Sequence, residues 1–200
     1  VATELTLLVG VCDEGDCPTI YATDRGTLAV QGAGDWFEDF EREAFRLETL
    51  DDYSQSGGVD AYQAFLAGKP QPEEYKAAGW VRTVSDAVQA GKRIYRVHVL
   101  ARPLTDYLRF ELSWGYIRNM TAGEEFFILD TTSQGNPVPD APDFWMFDDQ
   151  TIGAMKYDGE GKYLGVDFIG EDKRSEFRRY RDTAMASAVP FPEWWAQYGE

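Results

Sequence analysis

One histidine occurs in the 200 residues, His98, and charged side chains gather around it. Arg96 lies two positions before it; Arg102, Asp106 and Arg109 follow within eleven. An imidazole beside guanidinium groups could bind an anion and move a proton, with His98 or Asp106 as general acid or base. Extended chain places Ile94, Arg96, His98 and Leu100 on one side and Arg93, Tyr95, Val97 and Val99 on the other. Arg46 and Glu48 share a side of an earlier extended run in the same way. If the two strands are neighbours, Glu48 meets Arg96 or His98 across them. Arg102, Asp106 and Arg109 are spaced for salt links along a helix that reaches back to Arg102. Two readings follow. In one, Arg46, Glu48, Arg96, His98, Arg102 and Arg109 line an anion pocket. In the other, they form a semi-buried ionic network that fixes strand register. The second is favoured, because no matched nucleophile accompanies the histidine.

Other chemistry is thinner. Asp148 and Asp149 are adjacent, so a strand would aim them at opposite faces; they suit a turn better than an acid/base or two-metal pair. The segment DGEGK at residues 158–162 is too short for a calcium loop and reads as a hairpin turn. Cys12 and Cys17 supply two ligands where a closed zinc site needs four. No metal and no cofactor is expected, and the pair reads as a reduced loop between strands, although its oxidation is geometrically allowed. Residues 173–181, KRSEFRRYR, hold five positive charges and one negative, a basic patch around Phe177 and Tyr180. Arg174, Arg178 and Arg181 there either contact a partner or pair with the acidic body of the same chain.

The elements that must position these groups follow from periodicity. Residues 1–34 read as a small β unit of three short strands, at 5–9, 19–22 and 27–30, with a turn at Asp24, Arg25 and Gly26 and a joint at 32–34. Asp35 caps a short helix carrying Trp36, Phe37, Phe40 and Ala44. Residues 45–50 alternate as a strand, and a helix at 60–67 ends on Gly68. A long amphipathic helix at 73–90 carries Ala77, Trp80, Val81, Val84 and Val88 and stops at Gly91. Residues 92–101 are the richest in strand formers, and Pro103 can open the helix that bears Leu104, Tyr107, Leu108 and Leu112. Strands at 125–130, 144–148, 152–157 and 163–169 precede a helix at 172–188, which Pro190 and Pro192 end. The predicted fold is α+β: a largely antiparallel sheet with helices on one face, in a domain at 35–200 that follows the small β unit.

Net charge narrows the functional classes. Nineteen basic against 35 acidic side chains give −16. Such a field repels phosphate backbones, so direct nucleic-acid binding is not expected, while a basic protein partner is favoured. No apolar run approaches the ~20 residues of a membrane span, and Leu5 to Val11 lacks the basic flank of a signal peptide. The reading is a cytoplasmic protein without membrane contact. A homodimer built on the N-terminal unit is a further arrangement.

Several segments together resemble an actinobacterial domain family of unknown function: FRLETL at 45–50, AFLAG at 64–68, RVHV at 96–99, RPLTDYLRFEL at 102–112, DFWMFDD at 143–149 and YDG at 157–159. The likeness runs over about residues 36–198, and CPTIY at 17–21 with TDRGT at 23–27 resembles small proteins fused in front of it. Members of that family are often encoded beside helix-turn-helix transcriptional regulators. The resemblance therefore implies a regulatory protein–protein role; it transfers no catalytic residue. The alternative is an enzyme or toxin acting on a phosphate- or nucleotide-bearing substrate through the Arg/His cluster.

Overall fold

The computed structural model describes residues 36–56, 59–76 and 79–199, together with the backbone of three N-terminal strands. The cysteine loop, the turn at Asp24, Arg25 and Gly26, the joint at 32–34, Asp35 and Ala77 lie outside the described residues. The three strands are β1 (Leu5–Val9), β2 (Thr19–Thr23) and β3 (Leu28–Gln31), paired antiparallel in chain order.

The remainder is built on seven strands: β4 (Glu43–Glu48), β5 (Arg93–Leu100), β6 (Glu125–Asp130), β7 (Phe144–Phe147), β8 (Thr151–Tyr157), β9 (Tyr163–Phe168) and β10 (Val189–Pro190). They lie in the order β10-β6-β5-β4-β7-β8-β9. Four of the six pairings are antiparallel, as expected, but three adjacent strands, β6, β5 and β4, run parallel. Parallel neighbours need a crossover. Between β4 and β5 it contains α2 (Val59–Leu66), α3 (Glu73–Lys76) and α4 (Gly79–Gln89). Between β5 and β6 it contains α5 (Asp106–Phe110), a π-helical turn (Glu111–Tyr116) and α6 (Ile117–Met120).

Helices cover both faces of the sheet, which corrects the one-sided expectation. On one face α7 (Glu171–Ser187) lays Phe177 and Ala184 on Phe45, Leu47, Val97, Leu129, Phe144 and Met146. On the other, α4 packs Val84 and Ala87 over Ala44 and Ile94, and α5 with the π-helical turn packs Leu108, Leu112 and Tyr116 over Leu100, Phe126 and Ile128. Ala44, Leu47, Ile94 and Val97 are all fully buried. Burying a side chain the size of Leu or Val is worth about 1.5–3 kcal/mol, so the centre of the sheet is where the fold is anchored.

Local details depart from the periodic reading for identifiable reasons. Ala44 is not on the first helix: α1 is only Trp36–Asp39, and Ala44 sits in β4. The helix after Pro103 begins at Asp106, where the Thr105 side chain accepts from the Leu108 N–H at 3.1 Å. Beyond Pro190 the chain forms α8 (Phe191–Tyr198), with Pro192 in its first turn, where a missing N–H costs nothing. Phe191 and Trp194 of α8 are buried beside Phe126 and Tyr116.

Candidate functional site: a buried ionic lattice on the central strands

Parallel pairing of β4 and β5 sets Arg46 beside Arg96 and Glu48 beside His98. All four project to the face covered by α4 and the π-helical turn, so the expected cross-strand meeting takes place, but deep inside. Arg46, Glu48 and His98 are 4%, 4% and 0% exposed. Two guanidinium groups side by side in a dry interior repel unless carboxylates separate them. Here they are separated. Arg96 Nη1 donates to Glu48 Oε1 at 2.7 Å, and its Nε donates to Glu124 Oε1 at 2.8 Å. Arg46 Nη2 donates to Asp143 Oδ1 at 2.7 Å and to the Tyr157 hydroxyl at 3.0 Å; its Nε lies 3.7 Å from Glu48 Oε1. Charges therefore alternate across the strands: Asp143, Arg46, Glu48, Arg96, Glu124. Trp145, from β7, lies 5.5 Å from both guanidinium carbons, within reach of a cation–π contact.

The outer carboxylates are themselves tied. Asp143 also accepts from the Tyr53 hydroxyl at 2.8 Å, the Thr49 hydroxyl at 2.7 Å and the Thr49 N–H at 2.9 Å. Glu124 Oε2 accepts from Trp80 Nε1 at 2.8 Å. Burial alone would push the Glu48 carboxyl up, but Arg96, His98 and Arg46, with a hydrogen bond from Tyr116, outweigh it and hold the group at about 2. Glu111 goes the other way. It opens the π-helical turn, and burial followed by the charge of Glu48 pushes its carboxyl well above the usual range.

His98 is held at both ring nitrogens. Nε2 lies 3.0 Å from the Leu50 carbonyl, and Nδ1 lies 2.9 Å from the Tyr116 hydroxyl, which itself donates to Glu48 Oε2 at 2.9 Å. A carbonyl accepts only, and a phenol has one hydrogen to give. With that hydrogen committed to the Glu48 carboxylate, the phenol oxygen faces the ring as an acceptor. Glu111 Oε2 stands 3.7 Å from His98 Nδ1, too far for a hydrogen bond. Arg46 Nη1 and Glu111 Oε2 are the cluster's buried polar atoms that lack a hydrogen-bond partner among the described residues.

The remaining sequence-predicted residues are placed elsewhere. Arg102 is not on a helix with Asp106 and Arg109; its Nε donates to Asp130 at 2.7 Å and its guanidinium lies 3.9 Å from the Tyr198 ring centroid. Asp106 is exposed in the first turn of α5, and Arg109 is half-buried in the last. Asp148 and Asp149 form the turn between β7 and β8, both with positive φ. The Asp148 carboxylate accepts the backbone N–H groups of Glu41, Arg42 and Glu43 at 2.6–2.9 Å, and these bonds hold it below the usual carboxylate range against the opposing effect of burial. On α7, Arg181 pairs with Asp149 and Asp182, and Arg178 Nη2 donates to the Asp149 carbonyl at 2.6 Å. Arg174 lies 3.5 Å from Glu171 of its own helix. The basic patch thus spends much of its charge on its own chain. Glu111, Glu124, Asp143, Tyr53 and Tyr116 were not singled out from sequence. Asp143 alone left a trace there, two positions before Trp145 and so on the same side of β7.

Fold and site together define an α+β domain whose central strands enclose an alternating lattice of paired charges. The chain belongs to the family described as a domain of unknown function (DUF6879), whose model matches residues 32–196. No curated protein and no solved structure matches it. Among the described residues, no helix is long and apolar enough to cross a membrane, and no three His, Cys, Asp or Glu side chains gather as ligands for a metal ion.

Proposed function

We propose that this chain is a cytoplasmic binding module that acts by docking on a basic protein partner, with a helix-turn-helix transcriptional regulator as the leading candidate. One observation carries the reading: the positive charge that could have received an anionic substrate is consumed inside the sheet. Arg46 and Arg96 are each matched to carboxylates, and His98 has no exposed surface. Outward, the chain presents an excess of acid, −16 over its full length. An acidic body competes with DNA phosphates for the basic recognition surface of a DNA-binding protein, and complementary fields speed the encounter. The choice of regulator rests on the genomic setting implied by the family resemblance. The test is retention of the neighbouring regulator by the tagged chain at low salt. Stable, stoichiometric retention that salt weakens is expected; no retention at low salt overturns the proposal.

The alternative, an enzyme or toxin acting on a phosphate- or nucleotide-bearing substrate, has one observation in its favour. A buried carboxyl whose pKa burial and a neighbouring carboxylate raise, in a π-helical turn, is a pattern found at reactive sites. Glu111→Gln keeps the shape of the protonated acid. Loss of a cellular phenotype in that variant, with the fold and regulator binding kept, would favour the enzyme.

A further inference from the structure

α2 and α5 run side by side, next to Tyr53 of the ionic lattice, whose ring lies 6.1 Å from that of Tyr107. Ring centroids of Tyr62 and Tyr107 are 5.5 Å apart, and Phe65 lies 5.7 Å from Phe110 and 5.3 Å from Trp114. The contacts advance in the same direction along both helices, so their N-terminal ends share one end of the face. Asp106 opens α5 at that end, and the Thr105 hydroxyl just before it donates to the Asp51 carbonyl at 2.8 Å, which brings the exposed Asp52 there too. Burial raises the pKa of the half-buried Tyr62 phenol, and the charges of Asp52 and Asp106 raise it further, in keeping with that placement. At the opposite end Leu66 is 47% exposed, and Ile117, one turn beyond Trp114, is 46% exposed. The face is polarised: acid around an aromatic ring, then bare apolar surface.

We propose that this face docks a basic amphipathic helical segment of a protein partner, receiving a lysine or arginine at Tyr62 between Asp52 and Asp106 and an apolar side chain against Leu66 and Ile117. The proposal rests on the reading of the chain as a binding module and names the surface and the chemistry of its partner. Charge complementarity selects the occupant. Nucleic acid is repelled by the carboxylates, and a second copy would bring the same acidic end and another −16. A cation over a tyrosine ring flanked by carboxylates gains both cation–π and Coulomb attraction. Tyr62 and Leu66 are four residues apart on α2, ~6 Å along the axis, so the partner's basic and apolar side chains are to be three or four residues apart on its own helix.

The test uses the full chain and a fluorescent peptide of lysine and leucine with both residues at helical spacing. The control is a peptide of the same composition in scrambled order. Anisotropy titration of wild type, Asp52→Asn/Asp106→Asn, Leu66→Ser/Ile117→Ser and the charge-matched control Asp140→Asn/Asp172→Asn separates the outcomes. Each face variant is expected to weaken the spaced peptide by about tenfold, ~1.4 kcal/mol, with the control pair changing it less than twofold. Equal binding of both peptides, or an equal loss in the control pair, overturns the proposal. The same variants assayed against the neighbouring regulator keep the two ideas apart. Retention by wild type and equally by both face variants overturns this surface alone; no retention by wild type overturns the broader reading, whatever the peptide does.

Discussion

Glu48 sits between two arginines and touches, through Tyr116, the imidazole of His98. Glu48→Gln leaves Arg46 and Arg96 short of a counter-charge, and breaking a buried pair costs about 3–5 kcal/mol; chemical denaturation at neutral pH should show a loss of that size. The pH dependence has a definite sign. The carboxyl sits at about 2 in the folded chain against an ordinary value of 4.5. Its contribution is whole above 4.5 and is lost as pH falls through 2, so the gap between wild type and Glu48→Gln should close over that window. Glu111 has the opposite sign. Its folded pKa is raised, so the folded chain holds a proton that the unfolded chain releases above 4.5. The resulting cost is absent below 4.5 and grows as pH rises towards the folded value. Glu111→Gln should therefore melt like wild type at acid pH and above it at neutral pH. An equal shift at both pH values would contradict the raised pKa. Strand parity alone made Arg46, Glu48, Arg96 and His98 legible as a group, because a period of two needs no tertiary knowledge. Glu111, Glu124 and Asp143 come from a helix, a loop end and a strand start distant in sequence, and nothing local distinguishes them from surface acids.

Caps and turns set where the elements carrying that lattice begin and end. Thr105 Oγ1 accepts from the Leu108 N–H and donates to the Asp51 carbonyl at 2.8 Å, tying α5 to the segment after β4. Thr105→Ala should cost about 1 kcal/mol, a fall in Tm of ~2–4 °C for a chain of this size. Gly161, in the turn joining β8 to β9, has φ +76°, and a Cβ there would collide with the Asp52 carbonyl oxygen. Gly161→Ala should destabilise by more than about 1 kcal/mol, seen in the same melting experiment. Strands were the most legible elements: the expected run at 125–130 coincides with β6, and the run at 144–148 differs from β7 by one residue. Helix ends were the least. Pro103 and Pro192 were each read by the single role proline most often plays. In fact Thr105, two residues beyond Pro103, supplies the cap, and α7 does end before Pro190, but Pro192 also lies in the first turn of a further helix, α8, that was not expected. The parallel centre was hidden because β4 and β5 are buried on both faces, yet Arg46, Glu48, Arg96 and His98 keep in them the alternation that marks a half-exposed antiparallel strand.

The whole molecule separates its charges by sign and depth. Among the described residues, positive groups of β4, β5 and α7 are matched to carboxylates inside or along the body, and the full sequence carries a net −16. A partner that meets this exterior feels a field that salt screens within about 8–10 Å at ordinary ionic strength, so association should slow as salt rises while dissociation changes little. The most direct test of the proposal is the affinity of the full chain for the proposed partner, a helix-turn-helix regulator encoded beside it, measured by titration calorimetry across a salt series. The account predicts one saturable site whose affinity falls steadily with increasing salt. No heat of binding at the lowest salt, or an affinity indifferent to salt, would contradict it.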